Sequence, residues 1–131
     1  MLKIALVAVG FVVSVTALAE DGAVKMSKEE LLSFLPGVKV TQIASSGSER
    51  HWTNEPGGKI YMNTNNKLYG SAMGTQTASH EGTWSVNDEG KYCIDVDWKR
   101  IRENWCANVL KAQDNYYLNV ADEKHKIVFA K

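Results

Sequence analysis

The sequence predicts an all-β domain with one short N-terminal helix, in which an antiparallel meander curls into a small barrel or half-barrel. Two observations predict it: short β-prone segments recur about every ten residues, and turns rich in Gly, Asn and Pro separate them. So many strands in one small domain bury a face only by curling or by forming two layers. The predicted strands cover residues 38–45, 49–54, 59–64, 67–73, 75–81, 82–86, 91–98, 104–110, 116–120 and 126–130.

One helix is expected before the strands. Ser27 is followed three residues later by Glu30, which is the spacing of a capping box, and Met26 and Leu31 occupy the positions of a hydrophobic staple. The Pro36-Gly37 pair ends the helix. A helix of about two turns is unstable alone, so we expect it to pack across one end or the open side of the barrel.

The first nineteen residues have the pattern of a secretory signal peptide. Lys3 precedes an apolar segment, and Ala17-Leu18-Ala19 supplies the small residues that a signal peptidase recognises. The uncharged stretch from residue 4 to residue 19 is shorter than the ~20 residues of a membrane-spanning helix. We therefore expect cleavage after Ala19, a single domain over residues 20–131 in the periplasm or the medium, and no membrane span after cleavage.

The charge balance excludes some classes of protein. Removing 19 of the 131 residues leaves 112, enough for one domain with a single core. Because Lys3 is the only charged residue of the leader, 14 Lys and Arg then face 15 Asp and Glu. A nearly neutral domain without a basic run is not typical of nucleic-acid binding.

Two cysteines, Cys93 and Cys106, remain after the leader is removed. In an exported chain such a pair predicts one disulfide, because the destination is oxidising. If Lys99-Arg100 forms a two-residue hairpin turn, the two cysteines face each other across antiparallel strands. The same register gives an opposite-charge pair and an aliphatic–aromatic pair, both of which favour it; they are Asp97 with Arg102 and Ile94 with Trp105.

Two features argue against this register. Val96 would face Glu103, and Lys-Arg is a poor turn dipeptide compared with Asn-Gly. A longer loop or a bulge between the two cysteines is therefore equally possible.

A set of Gly, Trp and Cys motifs resembles a known family. The motifs are Gly82-Thr83-Trp84, Gly90-Lys91-Tyr92-Cys93, Trp105-Cys106 and Tyr116-Tyr117-Leu118, preceded by Leu35-Pro36-Gly37. Together, over residues 31–120, they resemble small exported proteobacterial proteins grouped as domain-of-unknown-function family 995. The resemblance implies export and a calycin-like barrel or half-barrel, and it implies no activity.

Aromatic residues are the candidate ligand-binding residues. A barrel lined with aromatic side chains can hold an apolar or aromatic ligand, although the same side chains also serve as core. The residues considered are Trp84, Tyr92, Trp98 and Trp105.

No catalytic residue, metal site or cofactor is predicted. Asp95 and Asp97 share one strand face, as paired catalytic carboxylates do, but a solvated strand face has the same pattern. The histidines, His51, His80 and His125, lie outside the spacings of known metal motifs. A catalytic function is therefore the less favoured class.

Two functions remain. The first is a periplasmic, non-catalytic binding module for a small apolar or aromatic ligand. The alternative is an envelope protein-interaction module, such as an inhibitor or immunity-type protein, with an exposed patch built from Trp52, Tyr61 and Tyr69.

Overall fold

The computed structural model describes residues 22–44, 46–74 and 77–131, without the side chains of residues 71–73. The predicted leader, residues 1–19, lies outside this part of the chain. In order, the elements are β1 (Val24–Lys25), α1 (Lys28–Phe34), β2 (Lys39–Ile43), β3 (Glu49–Thr53), β4 (Lys59–Thr64), α2 (Lys67–Met73), β5 (Ala78–Val86), β6 (Tyr92–Asp97), β7 (Arg102–Ala107), β8 (Val109–Ala112), β9 (Asn115–Leu118), a 3₁₀ turn (Glu123–His125) and β10 (Lys126–Ala130).

The strands form one curled antiparallel sheet, a half-barrel, in the order β1-β8-β9-β10-β2-β3-β4-β5-β6-β7. This confirms the predicted fold class. The strands from β2 to β7 are a simple meander, whereas β8 to β10 return to the other side, where β10 pairs with β2. Strand β7 therefore lies at one edge of the sheet. No helix in the described part of the chain has the length and apolar character needed to cross a membrane.

Helix α1 confirms the capping box. The backbone N–H of Glu30 donates to Ser27 Oγ at 3.1 Å, and the backbone N–H of Ser27 donates to Glu30 Oε1 at 2.8 Å. Leu31 and Leu35 are fully buried. Because its apolar face is in the core, this short helix is stabilised by packing.

Helix α2 corrects the strand predicted at residues 67–73. The Asn66 side chain accepts the backbone N–H of Leu68 at 2.9 Å, satisfying one of the free donors at a helix start. The division into strands differs in two further places: residues 78–86 form one strand where two were predicted, and the strand predicted at 104–110 is divided at Asn108 into β7 and β8. The Asn66 cap and the helix-favouring Lys67 and Leu68 oppose the β-prone Tyr69 in α2.

The hairpin of β6 and β7 has the register expected for a two-residue turn at Lys99-Arg100, and not the longer loop or bulge. Cys93 pairs with Cys106 at a Cα–Cα distance of 4.0 Å, and the two residues are joined by a disulfide. The backbone N–H of Trp98 donates to the Ile101 carbonyl at 2.8 Å, which closes a turn at Lys99-Arg100. Lys99 has a φ of 80°, a conformation that glycine adopts more easily.

Gly82, the glycine of the Gly-x-Trp motif, lies unusually close to β6. A Cβ atom at this position would be 2.5 Å from the backbone oxygen of Asp95 and 2.6 Å from Val96 Cγ2. Only a residue without a side chain allows β5 and β6 to approach this closely.

Candidate functional site

Strands β3 and β4 diverge and open a cleft on the outer face of the sheet. They pair at Arg50–Thr64 and His51–Asn63, whereas β3 pairs along its full length with β2, and β4 does so with β5. The two strands come together again at the turn that joins them, where the backbone N–H of Glu55 donates to the Lys59 carbonyl at 2.9 Å. We call the opening between these two points the β3–β4 cleft.

The β3–β4 cleft has a volume of about 610 Å³, within the range of roughly 300–1,000 Å³ that is common for small-molecule sites. Its lining residues are mostly outward-facing and polar, with Trp52, Ile60 and Val40 behind them. They are Lys39, Val40, Thr41, His51, Trp52, Thr53, Glu55, Lys59, Ile60, Tyr61, Asn63 and Glu81.

Some polar groups of the cleft already have partners. Thr41 Oγ1 lies 3.1 Å from His51 Nδ1, and His51 Nε2 lies 3.3 Å from a carboxylate oxygen of Glu49. Lys59 Nζ lies 3.3 Å from a carboxylate oxygen of Glu81. The Thr41–His51 contact links β2 to β3 and the Lys59–Glu81 contact links β4 to β5, on the two sides of the cleft.

Other polar groups of the cleft are available to a ligand. Among the described residues, no hydrogen bond or ion pair engages the Lys39 ammonium, the Glu55 carboxylate or the Tyr61 hydroxyl. Tyr61 is 59% exposed. The cleft therefore offers a free cation, a free anion and a free aromatic ring.

A buried ion pair lies inside the sheet, behind the cleft. Arg50 is 9% exposed and Glu103 is 6% exposed. The Glu103 carboxylate accepts hydrogen bonds from Arg50 Nη2, from Trp98 Nε1 at 3.2 Å and from Trp105 Nε1 at 2.6 Å. We call these residues, with Trp52 and Tyr69, the Arg50–Glu103 cluster.

Aromatic rings surround the guanidinium of Arg50. Its Cζ lies 5.5 Å from the ring centroid of Trp52 and 6.0 Å from that of Tyr69. The Tyr69 ring stacks on Trp98 at 5.2 Å. Burial, and to a lesser extent the Glu103 carboxylate, raises the pKa of the Tyr69 hydroxyl. Trp52 thus belongs both to this cluster and to the lining of the cleft.

Trp52 is fixed from the inside by a second buried network. Its Nε1 donates to the Tyr92 hydroxyl at 2.8 Å, and that hydroxyl donates to Asn54 Oδ1 at 2.5 Å. The Asn54 side chain in turn donates to the Leu35 carbonyl at 3.2 Å. Burial raises the pKa of the Tyr92 hydroxyl, so it stays protonated as a donor.

The four aromatic residues predicted as ligand-binding belong to the core or its border. Trp84 is 8% exposed, Tyr92 and Trp98 are fully buried, and Trp105 is half-buried. Each polar atom of these rings has a partner within the protein; Trp84 Nε1, for example, donates to the Glu55 carbonyl at 2.7 Å. Direct contact between these residues and a ligand stays a prediction.

The prediction that Trp52, Tyr61 and Tyr69 form an exposed patch for a protein partner is wrong. Trp52 is only 3% exposed, and Tyr69 packs on Trp98. Only Tyr61 of the three residues presents its ring to solvent. The alternation along β3 turns Trp52 inward together with Arg50.

The structure does not bring the two aspartates together at a site. Asp95 receives two hydrogen bonds from Arg102, at 3.0 and 2.7 Å, and they lower the pKa of Asp95. Asp97 instead accepts the backbone N–H of Lys99 at 3.1 Å. Their partners are those of an exposed strand face and its turn.

The three histidines have separate partners. His51 contacts Thr41, the His80 ring lies 6.2 Å from that of Trp98, and His125 Nδ1 lies 2.6 Å from Asp122. No group of three or more potential metal ligands occurs in the ranges that the structure describes.

Neither the cleft nor the buried ion pair was predicted from the sequence. One signal was present: the predicted register placed Glu103 opposite Val96, and therefore on the inward face. A second signal was that Arg50 and Trp52 lie two residues apart on one strand, which places both side chains on the same face of the sheet. The divergence of β3 from β4 has no comparable sequence pattern.

The fold and the cleft define a small, disulfide-bonded β half-barrel protein with a polar cleft on the outer face of its sheet. The chain belongs to the family described as "Protein of unknown function (DUF995)", whose model matches residues 5–110. The searches of curated proteins and of solved structures found no match. The family resemblance is confirmed, and its calycin-like character stays a prediction.

Proposed function

We propose that the protein is an exported, non-catalytic binding module that holds a small ligand in the β3–β4 cleft. The observation that carries this proposal is the divergence of two paired strands around a concave surface with uncommitted polar groups. A concave site of this volume with a few convergent polar groups is the usual setting for small-ligand binding.

A cleft site agrees with the packing better than an interior site. The apolar or aromatic ligand expected from the sequence would have to displace ring systems whose N–H and O–H groups are already bonded. Leaving such groups without partners in the interior costs about 1–3 kcal/mol each. The outer cleft needs no such displacement.

In this proposal the four predicted aromatic residues position the cleft. Tyr92 holds the indole of Trp52, and Trp84 holds the turn at Glu55. Trp98 and Trp105 bind Glu103, which holds Arg50 above the Trp52 ring. All four thus fix groups that line the cleft or support it.

Two features support export. The leader pattern over residues 1–19 precedes the rest of the chain. The Cys93–Cys106 disulfide is compatible with an oxidising compartment. The periplasm is the destination that we propose.

Native mass spectrometry of protein released from the periplasm, without refolding, tests the proposal. We expect a polypeptide that begins at Glu20 and carries a bound mass. Tyr61→Ala should lose that mass, whereas Leu32→Ala, which also shortens an exposed side chain, should retain it. A bare wild-type protein would count against ligand binding and favour an envelope protein partner, to be sought by crosslinking.

A further inference from the structure

The side chains around the β3–β4 cleft have the chemistry of a site for a polyhydroxylated ligand, and we propose that the cleft binds a saccharide. This inference rests on the proposed function and names its ligand class.

The charges of the cleft favour a neutral ligand. Two lysines, Lys39 and Lys59, are balanced by two carboxylates, Glu55 and Glu81. A phosphorylated or polyanionic ligand is usually met by a concentration of positive charge. In this cleft, a strongly charged ligand of either sign would meet repulsion as well as attraction.

The polar groups of the cleft differ in hydrogen-bonding character. The Lys39 ammonium can only donate, the Glu55 carboxylate can only accept, and hydroxyls such as that of Tyr61 do both. A sugar presents many hydroxyls, each of which donates and accepts, so one ligand can satisfy all these groups. An apolar ligand would desolvate them without replacing their hydrogen bonds to water.

The exposed ring of Tyr61 supplies an apolar surface among these polar groups. Lys59 and Asn63 lie two residues before and after it on the same face of β4, about 6.8 Å away along the strand. Glu81 pairs with Tyr61 on β5. A sugar ring has apolar C–H faces and polar edges, so it can stack on Tyr61 while its hydroxyls reach the neighbouring polar groups.

Isothermal titration calorimetry tests this inference with three neutral trisaccharides as probes: α-1,4-linked glucose, β-1,4-linked glucose and β-1,4-linked N-acetylglucosamine. We expect at least one of them to bind the wild-type domain. Tyr61→Ala should weaken binding about tenfold or more, which corresponds to about 1.4 kcal/mol. Tyr61→Phe, which retains the stacking ring and loses only the hydroxyl, should weaken binding clearly less than Tyr61→Ala does.

Leu32→Ala serves as the matched control and should bind like the wild type. Because Tyr61 and Leu32 are both exposed, each variant should retain the wild-type melting temperature. Absence of binding to all three probes would overturn the saccharide inference, as would binding that Tyr61→Ala leaves unchanged. If native mass spectrometry still shows a bound mass that Tyr61→Ala removes, the binding function stands and only the ligand class is wrong.

Discussion

Two arginine–carboxylate pairs meet on strand β7, on opposite faces of the sheet. Arg102 points outward and binds Asp95, with side-chain exposures of 64% and 34%. Its neighbour Glu103 points inward and binds Arg50. The side chains of Glu103 and Arg50 are only 4% and 11% exposed. Both are arginine–carboxylate pairs, and the main difference between them is burial.

Burial changes the consequence of losing one partner. An exposed pair is solvated and screened by salt, so each ion remains stable when the other is removed. A buried pair has lost its hydration, and each ion depends on the other and on nearby donors. Glu103 has three such donors, whereas Arg50 Nε is buried without a partner among the described residues. The inner pair should therefore be far more sensitive to mutation.

The largest expected effect comes from breaking the inner pair. Glu103→Ala should lower the free energy of unfolding by about 3–5 kcal/mol, because it leaves the Arg50 charge buried and uncompensated. Urea denaturation followed by tryptophan fluorescence measures this. As a control, the double variant Arg50→Met with Glu103→Leu should recover only the part of the loss that comes from the unpaired charge. The indole N–H groups of Trp98 and Trp105 still lack their acceptor in this variant. If Glu103→Ala lowered the free energy of unfolding by less than about 1 kcal/mol, the buried pair would contribute no more than an exposed pair does.

The covalent bond between β6 and β7 should have the next largest effect, because it anchors the strand that carries both pairs. Replacing Cys93 and Cys106 by Ala should lower the free energy of unfolding by about 3 kcal/mol through the entropy of the unfolded chain. Urea denaturation of the oxidised wild type and the variant measures this. Adding a dithiol reductant should destabilise the wild type alone; an equal effect on the variant would contradict the prediction.

A glycine in the turn that joins β6 and β7 should change the free energy of unfolding by a smaller amount, and should raise it. Lys99→Gly should raise the free energy of unfolding by about 1 kcal/mol, because glycine adopts the positive φ without steric cost. Thermal denaturation measures this. Arg100 lies outside the positive-φ region, so Arg100→Gly should lower stability instead. Stabilisation by both glycines would point to a loss of charge as the cause.

Breaking the outer pair, Asp95 with Arg102, should change the free energy of unfolding least, and the change should depend on pH. Hydrogen bonds from Arg102 lower the pKa of Asp95 in the folded protein. This pair therefore stabilises the fold above the ordinary aspartate pKa of about 3.9, and the contribution disappears as the pH falls through the lower, folded-state pKa. Asp95→Asn should show a small loss at neutral pH that vanishes in acid, as measured by urea denaturation at several pH values.

Arg102→Ala provides the control for that experiment. It should produce the same small loss with the same pH dependence, because it removes the other half of the same interaction. A loss in Asp95→Asn that persists unchanged in acid would assign the effect to packing.

The parts of the fold that local chemistry determines could be predicted from the sequence. The capping box at Ser27 and Glu30 satisfies donors within three residues of each other, and the structure has it. The spacing of Cys93 and Cys106 allowed a two-residue turn or a longer loop, and the structure has the register of the two-residue turn. Residues 67–73 were wrongly predicted as a strand, and the structure has a helix there that begins beside the capping side chain of Asn66.

The candidate site depends on contacts between distant segments, which the sequence encodes weakly. Glu103 opposite Val96 counted against the predicted register, since a carboxylate on a buried face is costly without a partner. The partner is Arg50, 53 residues away. The cleft depends on the divergence of β3 from β4, for which each strand's own pattern gives no indication.

The alternation along β7 has a consequence for assembly during folding. A slip of one residue against β6 would turn Arg102 and Asn104 toward the core and expose Glu103 and Trp105. Strand β7 lies at the edge of the sheet, where an exposed tryptophan beside unpaired backbone groups invites pairing with another chain. The bond between Cys93 and Cys106 permits only the alignment in which the tryptophan faces inward. Oxidation thus favours, among the possible alignments of this hairpin, the one in which Trp105 faces inward.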